Sequence, residues 1–312
     1  MENVDFESYY GRFVKKNQVL LWFGTGLSVL LGATAIVTDT WILAVIGVFA
    51  FLTGILLQQS YNAPYKEKLN ALQRVFPTQW KEYLTSHSTF YAELTEIDKA
   101  IFDKRVLLFL SSKRIIGIET EVEEGIQLLV AASAIIPTFA FPYFEYPNVK
   151  EVLIYPNAFD ENFQTEFNSK ERGTILGMVG NGVLNNSVLF SKPHLIAGFN
   201  GKYDKQNVGI HEFVHLLDKA DGAIDGVPQI FLSNTYTLPW MKALKEEMQR
   251  IKQGSSDINA YGLTNNAEFL SVASEYFFDN PVKFHKRHPE LYQLLCGIYH
   301  QKPDNKSWFS SD

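Results

Sequence analysis

Two long apolar runs with a short polar break between them open the chain. Residues 19–37 carry no charge and are mostly apolar, Thr38-Asp39-Thr40 interrupts them, and residues 41–57 are again uncharged. Each run comes close to the roughly 20 residues a helix needs to cross the hydrocarbon of a bilayer. A backbone in hydrocarbon must satisfy its own hydrogen bonds, so the pattern predicts two helices joined by a tight turn. Neither run has the polar face that a helix on a soluble domain shows. A cleaved signal would be shorter and would not run straight into a second apolar stretch. Arg12, Lys15 and Lys16 precede the pair, Lys66, Lys68 and Arg74 follow it, and the turn holds only Asp39. Positive flanks stay inside, so the expectation is a hairpin in the cell (inner) membrane whose two ends, and all that follows, face the cytoplasm. Trp22, Trp41 and Tyr61 lie near the span ends, where amphipathic rings favour the interface.

Beyond the hairpin the periodicity changes. Residues 62–102 read as helical, with Pro77 opening a helix around Trp80–Leu84, and Lys104–Ser112 continues in that style. The apolar, Ala-rich run Gln127–Ile136 predicts a buried helix ended by Pro137. Val152-Leu153-Ile154-Tyr155, stopped by Pro156, predicts a buried strand. Gly173–Met178 and Val183–Phe190 predict two more strands with a turn at Gly180-Asn181-Gly182. From there to Tyr299 the chain reads as helical, and residues 301–312 as a loose polar tail. The expected organisation is a cytoplasmic segment over 1–18, a two-helix transmembrane hairpin over 19–57, an α+β domain over 62–300 and a flexible tail.

Composition narrows the class of function. An aromatic share of 14% is too high for a disordered chain. A net charge of −6 without a Lys/Arg run argues against a nucleic-acid partner. The single cysteine, Cys296, rules out an internal disulfide and a Cys₄ metal site, and its apolar neighbours mark it as a buried hydrophobe.

The chemistry concentrates in Ile210-His211-Glu212-Phe213-Val214-His215-Leu216-Leu217-Asp218, an HExxH sequence. Residues i and i+4 share a helix face, so His211 and His215 aim at one point. Zinc takes imidazole nitrogen, and a catalytic site uses three protein ligands plus water. Glu212 stands one step round the helix, where it reaches a metal-activated water without binding the metal. Four letters recur by chance, so context has to support them. Here the intervening positions are apolar, and a buried helix does not carry two histidines and a glutamate without partners. Asp218, on the same face, is placed to accept the second N–H of a ligand imidazole. The third ligand must come from elsewhere. In Ala267-Glu268-Phe269-Leu270-Ser271-Val272-Ala273-Ser274-Glu275-Tyr276-Phe277-Phe278, two carboxylates seven residues apart share a face of an apolar helix. Glu268 is the favoured ligand, with Glu275 either the ligand itself or a group holding a histidine in place. Asp221, Asp225 and Gly226 read as loop-shaping residues. His194 is a candidate for the lining of a substrate cleft. His285 and His288, among Lys283, Lys286 and Arg287, read as a solvated basic stretch.

At this point the residues resemble a known family. HEFVHLLD, the following Asp225-Gly226-Val227-Pro228 and the AEFLSVASEYFF stretch look like the MtfA-type zinc peptidases, from about Pro77 to Pro281. The resemblance implies a zincin-like metallopeptidase domain related in its core to the anthrax lethal factor protease. It also implies one zinc ion per chain on His211, His215 and Glu268, with Glu212 as base. Tyr261, seven residues before Glu268, matches the family's tyrosine and would hydrogen-bond a developing oxyanion. The well-known soluble members lack the hairpin, and some bind a transcriptional repressor, a partner that no motif here carries over. Two functions are therefore expected of the sequence. One is a membrane-anchored zinc peptidase acting on a peptide or protein substrate. The other is a zinc-containing regulatory module that sequesters a cytoplasmic protein partner at the membrane.

Overall fold

A computed structural model describes residues 4–159, 175–180, 186–200, 206–232 and 234–306 of the chain. The chain divides into two compact units, residues 2–75 and 76–312 (with Met1 grouped in the second).

The first unit is helical. α1 (Phe6–Lys16) starts on Asp5, whose side chain caps the Ser8 N–H at 2.8 Å, and ends in Lys15 and Lys16, charges that suit the two ends of the helix dipole. α2 (Gln18–Thr38) ends at Asp39 in the left-handed conformation, and α3 (Trp41–Leu72) runs back. Both α2 and α3 are long and apolar enough to cross a membrane. Gly24 and Gly54 let the two backbones approach so closely that a Cβ on either would lie within 3.2 Å of the other's Cα. The outward faces carry exposed Trp22, Phe23, Ile36, Trp41 and Phe49, the side-chain chemistry of a lipid-facing surface. At 1.5 Å per residue α3 is about 48 Å long, so its polar half continues well past the apolar run. There Phe13 of α1 stacks on Tyr65, ring centroids 4.8 Å apart, and Lys68 lies over Tyr10.

The second compact unit begins at Phe76, and α3 carries residues up to Leu72. Among the described residues this unit mixes helices with a four-stranded sheet. In chain order it contains α4 (Thr78–His87), α5 (Thr89–Glu93), α6 (Glu96–Ser112), β1 (Arg114–Gly117), α7 (Glu124–Ile135), β2 (Glu151–Tyr155), β3 (Gly177–Val179), β4 (Ser187–Ser191), α8 (Lys192–Phe199), α9 (Val208–Asp218), α10 (Asn234–Lys252), α11 (Asn266–Asp279), α12 (Pro281–Arg287) and α13 (Pro289–Tyr299). The strand order is β1-β2-β4-β3, with the first three parallel and β3 antiparallel on the edge. The expected strand at 152–155 is β2. The strand expected over Gly173–Met178 is described only from Ile175, and Asn181 and Gly182 of the expected turn lie outside the described residues. β1 was missed because Arg114-Ile115-Ile116-Gly117 is short and follows directly on a helix.

α7 is the centre of the core. Every residue from Leu128 to Ile135 is buried, Ser133 included. α9 packs against it at Gly209, where a Cβ would stand 2.0 Å from Ser133 Oγ. Of the tail expected over 301–312, residues 301–306 pack on the domain and 307–312 lie outside the described residues: Gln301 is fully buried, its side-chain N–H donates to Ile136 O at 3.0 Å, and Asp304 pairs with His285 at 2.7 Å and with Tyr292. Polarity alone suggested a loose end, whereas Gln301 satisfies a buried carbonyl of the core and Asp304 accepts from the His285 ring.

Candidate metal centre

α9 starts at Asn207, whose side-chain oxygen accepts the Ile210 N–H at 3.1 Å. That cap sets where the helix begins and therefore which face carries His211, Glu212 and His215. Glu212 is 5% exposed and His211 8%, so the motif is inside the domain. α11 starts at Asn265, whose side chain accepts the Glu268 N–H at 2.9 Å and so positions Glu268 in the first turn.

The two helices bring three donor atoms together. His211 Nε2 and His215 Nε2 are 3.2 Å apart, and Glu268 Oε2 lies 3.0 Å from the first and 3.3 Å from the second. Among the described residues this is the one group of three ligand-type side chains gathered closely enough to share an ion. An ion held at about 2.05 Å by tetrahedrally arranged ligands separates those ligand atoms by about 3.3 Å. The three edges fit that spacing. The donor set fits too: Glu275 Oε1 lies 2.7 Å from His211 Nδ1, so Nδ1–H donates to it and the lone pair of a neutral His211 is on Nε2, facing inward. A cation between the three atoms satisfies three inward lone pairs at once.

Electrostatics point the same way. Burial opposes a charged His211, but the Glu275, Glu268 and Glu212 carboxylates outweigh it and raise its pKa well above the usual value. Burial works against an ionised Glu268, yet hydrogen bonds from His211 and His215 dominate and hold it at about 2. The pocket asks for positive charge, which a proton or a metal ion supplies. For Glu212 burial dominates and raises the carboxyl, with the two imidazoles opposing. Its carboxylate packs on the edge strand, where a Cβ at Gly177 would come within 2.9 Å of Oε1.

Glu275 also ties the site to its scaffold: Oε2 accepts the Asn207 N–H at 2.5 Å, so one carboxylate holds both the start of α9 and His211. Ser271 Oγ donates to His211 O at 3.2 Å. Of these, Asn207 and Ser271 were missed by sequence reasoning. Asn207 carries a signal, an Asn just ahead of a helix, but Ser271 in an apolar helix carries none.

Asp218 is not joined to an imidazole. It is fully buried, Oδ2 accepts the Gly226 N–H at 2.9 Å, and Oδ1 has no hydrogen-bond partner among the described residues. The loop after α9 folds back and takes the carboxylate that was expected to meet an imidazole. Tyr261 stands in a short 3-10 turn, Ala260–Leu263, 54% exposed, with its ring centroid 6.1 Å from that of His211. Burial, then Glu268 and Glu212, raise its pKa. His194 pairs with Ser191 Oγ at 2.8 Å on α8. His288 is not solvated: it is 6% exposed, between Glu247 and Asp257.

Residues 62–300 match the family described as glucose-regulated metallo-peptidase M90. The chain belongs to the M90 family. Among its relatives, the uncharacterized protein slr2042 of Synechocystis is 29% identical over 83% of this chain and 94% of its own. Mlc titration factor A of Escherichia coli, and that of Shigella flexneri, are each 26% identical over 80% of this chain and 95% of their own. The M90 assignment makes the chain a member of a metallopeptidase family and accounts for a cluster of metal-ligand type. The match starts at residue 62, after the apolar part of α3.

Proposed function

We propose that this M90 chain is a membrane-anchored, zinc-dependent peptidase whose catalytic domain faces the cytoplasm. The observation that carries the reading is the triangle of His211 Nε2, His215 Nε2 and Glu268 Oε2, with edges of 3.0–3.3 Å. These three side chains would hold one zinc ion, and Glu275 would keep His211 in the tautomer that binds it. Bound zinc supplies Lewis acidity that lowers the pKa of a water toward about 7 and polarises a scissile carbonyl. Glu212 accepts the proton of the attacking water and passes it to the departing amine. Its burial supports this role, since a raised carboxyl pKa suits an acid–base group working near neutral pH. Tyr261 donates its hydroxyl to the oxyanion as the carbonyl is attacked. Two apolar helices flanked by Lys15, Lys16, Lys66 and Lys68 support the anchor and its orientation.

The test uses the purified full chain in detergent. It should contain one zinc and cleave members of a peptide library, and a chelator should stop the cleavage. Glu212→Gln should keep the metal and lower turnover by about 10²–10⁴-fold. Wild-type-like turnover in that variant would sink the mechanism. Protease protection of sealed membranes, with the domain accessible only from the cytoplasmic side, checks the orientation.

A second reading has one specific support, the name Mlc titration factor A borne by relatives. On it, the domain sequesters a cytoplasmic protein partner at the membrane, and the metal centre is structural. A binding module has no use for a buried base, so Glu212 favours the peptidase. Partner capture unaffected by Glu212→Gln, without any hydrolysis, would favour the second reading.

A further inference from the structure

A second buried charged network lies apart from the metal centre. At the junction of α12 and α13, His288 Nε2 is hydrogen-bonded to Asp257 Oδ1 at 2.8 Å, and Nδ1 stands 3.1 Å from Glu247 Oε1, an ion-pair contact without hydrogen-bond alignment. Glu247, on α10 and 3% exposed, also meets Arg250 at 3.2 Å. Asp257 lies in the connection between α10 and the 3-10 turn that bears Tyr261. Its Oδ2 accepts the Tyr276 hydroxyl at 2.9 Å, and Arg287 Nε approaches to 3.5 Å. Tyr276 is the residue after Glu275 on α11. Asp257 thus joins that connection to α11, α12 and the start of α13, and His288 joins it to α10.

Buried ion pairs add little net stability compared with apolar packing, and what they do supply is a fixed geometry. The element that needs fixing is close by. Tyr261 is 54% exposed, so its position depends on its backbone more than on packing of its ring. Between Asp257 and Tyr261 the described hydrogen bonds are local, Ile258 N–H to Ser256 Oγ at 3.2 Å, Tyr261 N–H to Asn259 Oδ1 at 3.0 Å and Gly262 N–H to Asn259 O at 3.1 Å, and Ile258 is buried in the core. We propose that Asp257 and His288 are positioning residues: the imidazole bridged between Glu247 and Asp257 locks residues 254–263 onto α11 and thereby holds Tyr261 over the His211–Glu268 cluster. The consequence for turnover rests on the peptidase reading. The consequence for the backbone does not.

The bridge is sensitive to pH. Burial opposes the charged imidazole, but Glu247 and Asp257 outweigh it and raise His288 above its usual value. Burial likewise opposes ionised Glu247, and His288 and Arg250 overcome it, lowering its pKa. The groups facing His288 are Glu247 and Arg250 from α10, Asp257, Tyr276 from α11, and Arg287, with Glu246 and Glu290 lining the adjacent cavity of about 120 Å³. A raised histidine contributes fully below its unfolded value near 6.5, and the contribution fades as pH rises through the folded value. The segment should therefore loosen on the alkaline side.

The experiment compares the metal-loaded full chain with His288→Gln and Asp257→Asn by hydrogen exchange and by steady-state kinetics across pH. Both variants should lose about tenfold or more of the amide protection in 254–263 while α9 keeps its protection and the metal stays bound. In both, kcat should fall about tenfold with KM within about twofold. Wild-type protection in 254–263, corrected for intrinsic rate, should decline above neutral pH, and that decline should be absent in His288→Gln. Unchanged protection in 254–263, or a loss spread evenly over the domain, overturns the proposal. If the wild type cleaves nothing, the peptidase reading fails and the exchange data still decide the positioning role. If His288→Gln does not fold, Asp257→Asn and the wild-type pH series decide it.

Discussion

Glu275→Gln tests the site through a residue that touches no ion. The wild-type carboxylate accepts two N–H groups, His211 Nδ1 at 2.7 Å and the Asn207 backbone at 2.5 Å, in a place only 5% exposed. An amide of the same shape has one oxygen and one NH₂. If its oxygen stays on Asn207, the NH₂ faces Nδ1 and favours the tautomer with the proton on Nε2, which removes the inward lone pair. If the oxygen takes Nδ1–H, two N–H groups face each other at the start of α9. Either arrangement weakens metal binding, and losing such a partner costs about 10–100-fold in metal affinity, or about 1.4–2.7 kcal/mol. Competition against a chromophoric chelator at fixed pH and salt measures this directly. Glu275→Ala should do more, destabilising the fold by about 3–5 kcal/mol in urea because both N–H groups are left buried without an acceptor. A zinc affinity for Glu275→Gln within twofold of wild type would refute the tautomer argument.

Other expectations follow from the packing around α9. Gly177→Ala places a Cβ 2.9 Å from Glu212 Oε1 and 2.7 Å from a Val208 methyl, so kcat should fall at least tenfold while zinc content holds. A full zinc complement with unchanged kcat would show that the base has room to move. Gly209→Ala drives a Cβ to 2.0 Å from Ser133 Oγ and should lower stability by about 1–3 kcal/mol in urea melts. Burial raises Asp218 to about 6, so between the ordinary carboxylate value near 3.9 and that point the native state binds a proton the unfolded chain does not. Its contribution to stability therefore weakens as pH rises through that window, by about 2–3 kcal/mol in all, and Asp218→Asn should flatten that part of the stability–pH curve.

Local rules were enough for much of this protein. The two uncharged runs give α2 and α3, since only backbone-satisfied helices tolerate so continuous an apolar sequence. The i, i+4 spacing gives two imidazoles on one face of α9, because helix geometry is the same wherever the helix packs. The carboxylates of α11 stood out as charges in an apolar helix, with Glu268 favoured as the ligand and Glu275 left open between ligand and support. Which carboxylate meets both rings and which meets Nδ1 depends on how α11 crosses α9, a contact between residues more than fifty positions apart. The same limit explains His288. Its neighbours in the chain are cationic and suggest solvent, but its neighbours in space are Glu247 and Asp257, brought in by α10 and the following segment. Periodicity is set residue by residue along the backbone. Partners of a buried charge are set by packing, and only the tertiary structure determines them.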